Sequence, residues 1–241
     1  SPDGTLLVAQ ADAAPPGGGP PVLGPLQVRD VVTGTVTVTL EQICDHTRWQ
    51  AISTGCSYLP EVPFSFDTVR VRWSPDGRSI AGTDGYSVAV WDARTGQLVT
   101  TMFGDGSAEL LEWGPVWDLI FSPDSRRLFL TTSLGNRYGS ASIVSIDTST
   151  WEPLAGQSLD VDQSWSGLTG FAADGSLVVV TPWRNNVTDT DVMLIDPETL
   201  TITALWPRLV DGLVSSAALS PDGTRIAMAT HDGFVGVWDL S

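Results

Sequence analysis

Ile80-Ala-Gly-Thr-Asp-Gly-Tyr-Ser-Val-Ala-Val-Trp-Asp-Ala-Arg-Thr-Gly96, with Trp73-Ser-Pro-Asp-Gly77 just before it, is the stretch that decides how this chain folds. An apolar-ended inner strand stops at Trp73, Pro75-Asp76-Gly77 makes a tight turn, and a short strand follows around Ile80. Asp84-Gly85 turns the chain again, and Val88-Ala-Val-Trp91 alternates as a third strand. Ala93-Arg-Thr-Gly96 then leads into a fourth strand around Leu98 to Thr101. Four short antiparallel strands within about twenty-five residues make one sheet.

The unit recurs. Ser-Pro-Asp-Gly stands at Ser1 to Gly4, Ser74 to Gly77 and Ser220 to Gly223, with degenerate copies at Ser122-Pro-Asp-Ser125 and Ala172-Ala-Asp-Gly175. The intervals are 73, 48, 50 and 48 residues. Val90-Trp91-Asp92 repeats in step as Val28-Arg29-Asp30, Ser145-Ile146-Asp147, Leu194-Ile195-Asp196 and Val237-Trp238-Asp239. A period near fifty with four strands per repeat is the signature of a β-propeller.

At these residues the chain resembles the WD40-repeat family, in which Ser-Pro-Asp-Gly joins the first two strands of a blade and Trp-Asp closes the third. The resemblance implies an all-β propeller of four-stranded antiparallel blades, and five blades are visible. They fall near 1–40, 63–102, 115–155, 166–205 and 213–241 of a single 1–241 domain, with an insertion at 41–62. The first blade is expected to lack its inner strand and the last its outer one, as in a fragment of a seven-bladed ring. Two departures stand out. Trp-Asp is complete only at Trp91-Asp92 and Trp238-Asp239, and the family's Gly-His pair is absent. Its buried His-Asp-Ser/Thr-Trp network is therefore reduced to Asp84 with Trp91 and Asp232 with Trp238.

Net charge is −16, yet twelve of the 28 acids sit at repeat turns. Asp3, Asp76, Asp124, Asp174 and Asp222 occupy the first turn of each blade, Asp30, Asp92, Asp147, Asp196 and Asp239 follow the third strand, and Asp84 and Asp232 lie between. Most of the acidity is architecture. The remaining potential is still negative, which disfavours nucleic acid, and no apolar run is long enough for membrane insertion. All twelve basic residues are arginine, so Schiff-base lysine chemistry and a phosphate loop with its lysine are excluded from this sequence. Neither HExxH nor Gly-x-Ser-x-Gly nor GxGxxG occurs. No catalytic residue, cofactor or metal site is expected.

Cys44 and Cys56, the two cysteines, both lie in the insertion. A disulfide between them would stabilise by about 3 kcal/mol in the chain-entropy model and would place the chain outside the cytoplasm. Reduced thiols in a cytoplasmic protein, the expected location, are the alternative. Asp45 and His46 complete a possible zinc set with the cysteines, at a spacing that fits no common site. Asp189 and Asp191 read as solvated loop charges.

Two lengthened loops replace the short turn between second and third strands, one with Arg137 beside Tyr138, the other with Trp183 beside Arg184. Arginine and large aromatics dominate protein-protein contacts. In the family these loops share a face with the connections into the inner strands, so Tyr86, Trp113, Arg137, Tyr138, Trp165, Trp183 and Arg184 are the expected partner-binding set. The expectation is a non-catalytic module that docks protein or peptide, joined to further domains of the same polypeptide in a bacterial signalling protein. A metal-dependent lactonase-type propeller and an extracytoplasmic propeller similar to TolB are the other classes. Alkylation without reductant, followed by intact mass, is expected to modify both thiols if the chain is cytoplasmic and neither if Cys44 and Cys56 are bonded.

Overall fold

The computed structural model describes residues 1–13, 22–40, 70–83, 88–102, 113–134, 140–162, 167–181, 189–212 and 214–240. All regular structure among them is β, in 18 strands that form five antiparallel sheets. The chain divides into two compact units, Ser1–Leu111 and Glu112–Ser241.

The first unit holds two sheets. One contains β1 (Leu6–Ala13), β2 (Val22–Asp30) and β3 (Val36–Thr39); the other contains β4 (Arg70–Trp73), β5 (Ser79–Thr83), β6 (Val88–Asp92) and β7 (Leu98–Met102). The second unit holds three. Its first sheet contains β8 (Trp113–Phe121), β9 (Arg127–Leu134), β10 (Ser140–Asp147) and β11 (Pro153–Asp162). Its second contains β12 (Gly167–Phe171), β13 (Leu177–Thr181), β14 (Asp189–Ile195) and β15 (Ile202–Asp211), and its third β16 (Val214–Leu219), β17 (Arg225–Thr230) and β18 (Val235–Asp239). Strands adjacent in sequence are adjacent in every sheet, so each sheet is the expected propeller blade. The first and last have three strands and the others four.

Several strands run further than the sequence reading gave them. β1 continues to Ala13, which pairs with Val22, because a register shift between Gln10 and Asp12 absorbs the irregularity that the Pro/Gly-rich composition suggested would end pairing. β11 and β15 reach Asp162 and Asp211 through similar shifts opposite Ser140/Ser142 and Thr190/Val192. Trp113, expected in a connection, opens β8 and pairs with Leu134.

Packing follows from strand alternation. In β13 every residue is buried, since Leu177 and Val179 pack with Phe129, Ile143, Met193 and Ile195 while Val178 and Val180 pack with Ile226 and Met228 of the next sheet. A strand covered on both faces reads as a continuous apolar run for that reason. In the first unit Leu26, Val28 and Leu40 meet Ile80, Ala89 and Trp91, with Trp91 fully buried. Its indole leaves little room over Gly82, where a Cβ would stand 3.2 Å from Cζ3.

Two turn types carry these sheets. Each first turn closes with an amide-to-carbonyl bond from its fourth residue to its first, as from Gly77 to Ser74 (2.9 Å) and from Ser125 to Ser122 (2.9 Å). The fourth residue is left-handed in every copy: φ is 72° at Gly4, 73° at Gly77, 62° at Ser125, 89° at Gly175 and 69° at Gly223. The turns after the third strand likewise place Gly34, Gly96, Trp151 and Leu200 at positive φ. Glycine accepts that conformation without steric cost, whereas Ser125, Trp151 and Leu200 do not. Ser125→Gly is therefore expected to raise stability, by up to about 1 kcal/mol. Leu200→Gly removes the same strain but also a side chain only 1% exposed in the core, at about 2–4 kcal/mol. Opposite shifts in thermal midpoint from two substitutions at left-handed positions are the check.

Candidate protein-docking surface

The connections fall at two opposite ends of each sheet. First strands run toward Trp73, Phe121, Phe171 and Leu219, where the first turns lie, and third strands return to that end at Asp30, Asp92, Asp147, Asp196 and Asp239. The links from second to third strand, and from each outer strand to the next inner one, leave from the other end.

At the first end the turn aspartates are consumed by their own turns. Asp222 Oδ1 accepts from Ser220 Oγ (2.6 Å), Thr224 N (3.1 Å) and Thr224 Oγ1 (2.8 Å). Asp76 and Asp124 accept in the same way from Ser74 (2.7 Å) and Ser122 (2.6 Å), whose hydroxyls also receive the amides of Ser79 and Arg127. Asp174 follows Ala172 and takes only the Ser176 amide, at 2.9 Å. After the third strand, Asp30 accepts from Val32 N, Thr33 N and Thr33 Oγ1, and Asp92 from Arg94 N, Thr95 N and Thr95 Oγ1. Asp147 and Asp196 hold two amides each. These donors favour the ionised carboxyl. The Ser220 hydroxyl, then the amide and hydroxyl of Thr224, hold Asp222 at about 2, and the Ser1 hydroxyl with Thr5 does the same for Asp3.

Neighbouring sheets meet through these turns. In the second unit Ala173 N donates to Gly223 O at 3.0 Å, so close that a Cβ on Gly223 would lie 2.7 Å from Ala173 N. Arg127 donates to Pro197 O at 2.8 Å and pairs with Glu198. In the first unit Gly96 seats against β3, with a Cβ position 2.4 Å from Val38 Cγ1.

The other end carries the residues expected to meet a partner. Trp113 opens β8, and its side chain, with Tyr86, Arg137, Tyr138, Trp165, Trp183 and Arg184, lies outside the described residues. In sequence, Tyr86, Arg137 with Tyr138, and Trp183 with Arg184 stand between a second and a third strand, and Trp165 between an outer strand and the next inner one. Six of these seven residues belong to the second unit. Cys44, Cys56 and Asp84 also lie outside the described residues.

One connection at this end is fully described, the turn from Thr230 to Phe234. Thr230 Oγ1 donates to Asp232 and accepts from Phe234 N (3.1 Å), so Asp232 is bound by Thr230. Trp238 lies by Phe234, ring centroids 6.1 Å apart at 54°. Phe234 is 50% exposed. It lies between a second and a third strand, and sequence reasoning passed over it because an aromatic beside a Gly in a short turn carries no length signal.

Two carboxylates are buried in strands. Asp118, 6% exposed on β8, accepts from Leu119 N (2.9 Å) and from Leu168 N (3.2 Å) of the adjoining sheet. Asp191 corrects an expectation: it is 4% exposed on β14 and accepts from Arg208 N at 2.8 Å, where the β14–β15 register shifts and Arg208 takes a φ of 53°. It is a strand residue that ties down a bulge, and Asp189 also begins that strand. Among the described residues no group of three or more His, Cys, Asp or Glu could hold a metal ion, and no helix is long and apolar enough to cross a membrane.

Five sheets built on one turn grammar make the fold a β-propeller, and residues 210–239 match the WD domain, G-beta repeat family model. The WD repeat-containing protein SL1-17 of Schistosoma mansoni is 28% identical over 153 residues, 64% of this chain and 44% of that protein. Eukaryotic translation initiation factor 3 subunit I of Lodderomyces elongisporus is 27% identical over 98% of this chain and 64% of its own, and the Candida albicans subunit is 25% identical over the same shares. The chain thus spans 44% to 64% of the length of these relatives. Among solved structures, Kuenenia stuttgartiensis hydrazine synthase matches with a TM-score of 0.65 at 15% identity, covering 100% of this chain and 61% of that one. The Cps50 (Swd1) β-propeller domain of Myceliophteria thermophila matches at 0.59 and 16%, covering 91% and 61%. At such identities the likeness is of fold.

The turn carboxylates make stability depend on pH. A carboxyl held at about 2 when folded, against about 3.9 unfolded, contributes its stabilisation fully above about pH 4 and loses it as pH falls toward 2. The urea midpoint is expected to drop across that window, and Asp222→Asn to make the drop shallower.

Proposed function

We propose that this propeller is a non-catalytic module that docks a protein or peptide on the end of its sheets where second strands pass to third. The observation that carries the reading is topological. Tyr86, Arg137, Tyr138, Trp165, Trp183 and Arg184 lie on segments between second and third strands or leading to an inner strand, Trp113 opens an inner strand, and Phe234, half exposed, lies on a described segment of the first kind. The opposite end spends its polar groups on its own turns. A desolvated aromatic and arginine cluster is what a protein partner recognises most strongly. Two similar proteins are, by name, subunits of a translation initiation factor, which supports a role within an assembly.

The arginine-only, lysine-free composition supports a bacterial source, and we assign the chain to the cytoplasmic part of a larger signalling protein with further domains. Nucleic acid and membrane insertion are not part of this reading.

Affinity capture tests the face. The wild-type chain should retain an identifiable protein that is lost with Arg137→Ala, Tyr138→Ala, Trp183→Ala and Arg184→Ala together and kept with Arg78→Ala and Arg94→Ala, two exposed arginines at the opposite end. All three proteins should melt alike. Loss with the second variant, or indifference to the first, would overturn the assignment.

A further inference from the structure

The first turns are alike in backbone but unlike in how they hold their aspartate. Asp3, Asp76, Asp124 and Asp222 each accept a serine hydroxyl from two residues before, at 2.5, 2.7, 2.6 and 2.6 Å. In the remaining turn that position is Ala172, and among the described residues the only donor to Asp174 is the Ser176 amide. The residue that follows differs from Gly223, though not from Gly4, where nothing stands within 4 Å either, nor from Gly77, whose one neighbour is Pro2 Cδ at 3.9 Å. A Cβ on Gly223 would meet Ala173 N, Ala172 C and Phe171 O at 2.7 to 2.9 Å, so its backbone is clamped. Around Gly175 nothing stands within 4 Å, and Asp174 and Gly175 are both exposed.

We propose that Asp174-Gly175 is a modification site, at which Asp174 rearranges to isoaspartate faster than the other first-turn aspartates. The Gly175 amide nitrogen attacks the side-chain carboxyl carbon of Asp174. A C–N bond forms, the amide proton and the carboxyl OH leave as water, and a five-membered succinimide results. Water then opens the ring. Cleavage at the main-chain carbonyl leaves the chain running through the side chain as isoaspartate, and cleavage at the other restores aspartate. One water is lost and one regained, so no co-reactant is needed.

The two structural differences act on this step. A serine hydroxyl bound to Oδ1 holds the carboxyl away from the attack geometry and favours its ionised form, which loses its oxygen poorly. An unclamped glycine lets the amide swing toward the carboxyl carbon. At Asp124 the next residue is Ser125, whose side chain crowds the nitrogen. Asp232-Gly233 has its carboxylate bound by Thr230, and Asp211 is paired in a strand with Asp189.

The location gives the modification an effect. Ala173 N bonds Gly223 O, joining the last two sheets one residue from Asp174. An extra methylene in the main chain there displaces that contact. Rearrangement at this turn is therefore read out as a weakened seam, independently of any docking function.

The test is a peptide map of the whole chain after incubation in warm neutral buffer, with isoaspartate located by enzymatic carboxyl methylation and electron-transfer fragmentation. Isoaspartate is expected to accumulate several-fold faster at residue 174 than at 76 or 222. Ala172→Ser should slow residue 174 several-fold, and Ser220→Ala should speed residue 222. In urea, where the turns are lost, the three sites should converge. Equal accumulation in the native wild type, or no response of residue 174 to Ala172→Ser, overturns the proposal.

Discussion

A single carboxylate oxygen collecting donors from its own turn is the contact on which the rest of this structure depends. At Asp30, Asp92 and Asp222, one Oδ1 takes two amides or an amide and two hydroxyls within a few residues. Each such bond satisfies a backbone donor that a tight turn would leave to solvent. The turn then closes on a left-handed residue, next after Asp222 and four residues after Asp30 and Asp92, and so sets the direction of the following strand. Because that cost is met locally, each sheet is defined before it meets a neighbour, as expected of repeat proteins whose stability is carried by units and nearest-neighbour seams.

The seams reuse the same turns. Gly96 lies against Thr39 and Gly223 against Ala173, so the glycine demanded by the turn's backbone is also the glycine that lets two turns approach. Two constraints fall on one position. Gly4, Gly34 and Gly175 meet only the first, since nothing stands within 4 Å of a Cβ there, and Ser125 holds the left-handed position with a side chain. The same turns also separate the two ends of the molecule in chemical terms, because an end whose carboxylates and hydroxyls bind each other has few polar groups left for a partner.

The fold was legible because its signal is local and repeated. Ser-Pro-Asp-Gly and the Trp-Asp positions located the turns, and alternation in Val88 to Trp91 or Leu177 to Thr181 located the strands. What was not legible depends on distance. Nothing near Asp191 announces that Arg208, seventeen positions on, will place an amide on its carboxylate, and a charge between loop and strand reads by default as solvated. Arg127 shows no sign in sequence that it will reach Pro197 and Glu198 of the next sheet. β1 and β2 outran their expected limits because a bulge lets pairing continue past composition that would stop a regular ladder. The proposed docking residues were legible only as residue types on segments between strands, and Phe234 escaped even that.

Left-handed residues other than glycine show how the repeat tolerates its own divergence. Leu200 occupies the position of Gly34 and Gly96 at a φ of 57°, a strain of about 1–2 kcal/mol. Yet its side chain is buried with Leu177, Met193 and Ile195, and burying a leucine contributes about 1.5–3 kcal/mol. The two terms nearly offset, with the balance toward burial, so the substitution is held by packing while the turn still closes through the Leu200 amide on Asp196 O at 2.8 Å. Ser125 closes its turn in the same way, through its amide on Ser122 O at 2.9 Å, with a side chain too small and polar to bury comparable apolar area. Divergence from the motif is thus not uniform loss: where the backbone's demand is ignored, the deciding quantity is what the new side chain can reach.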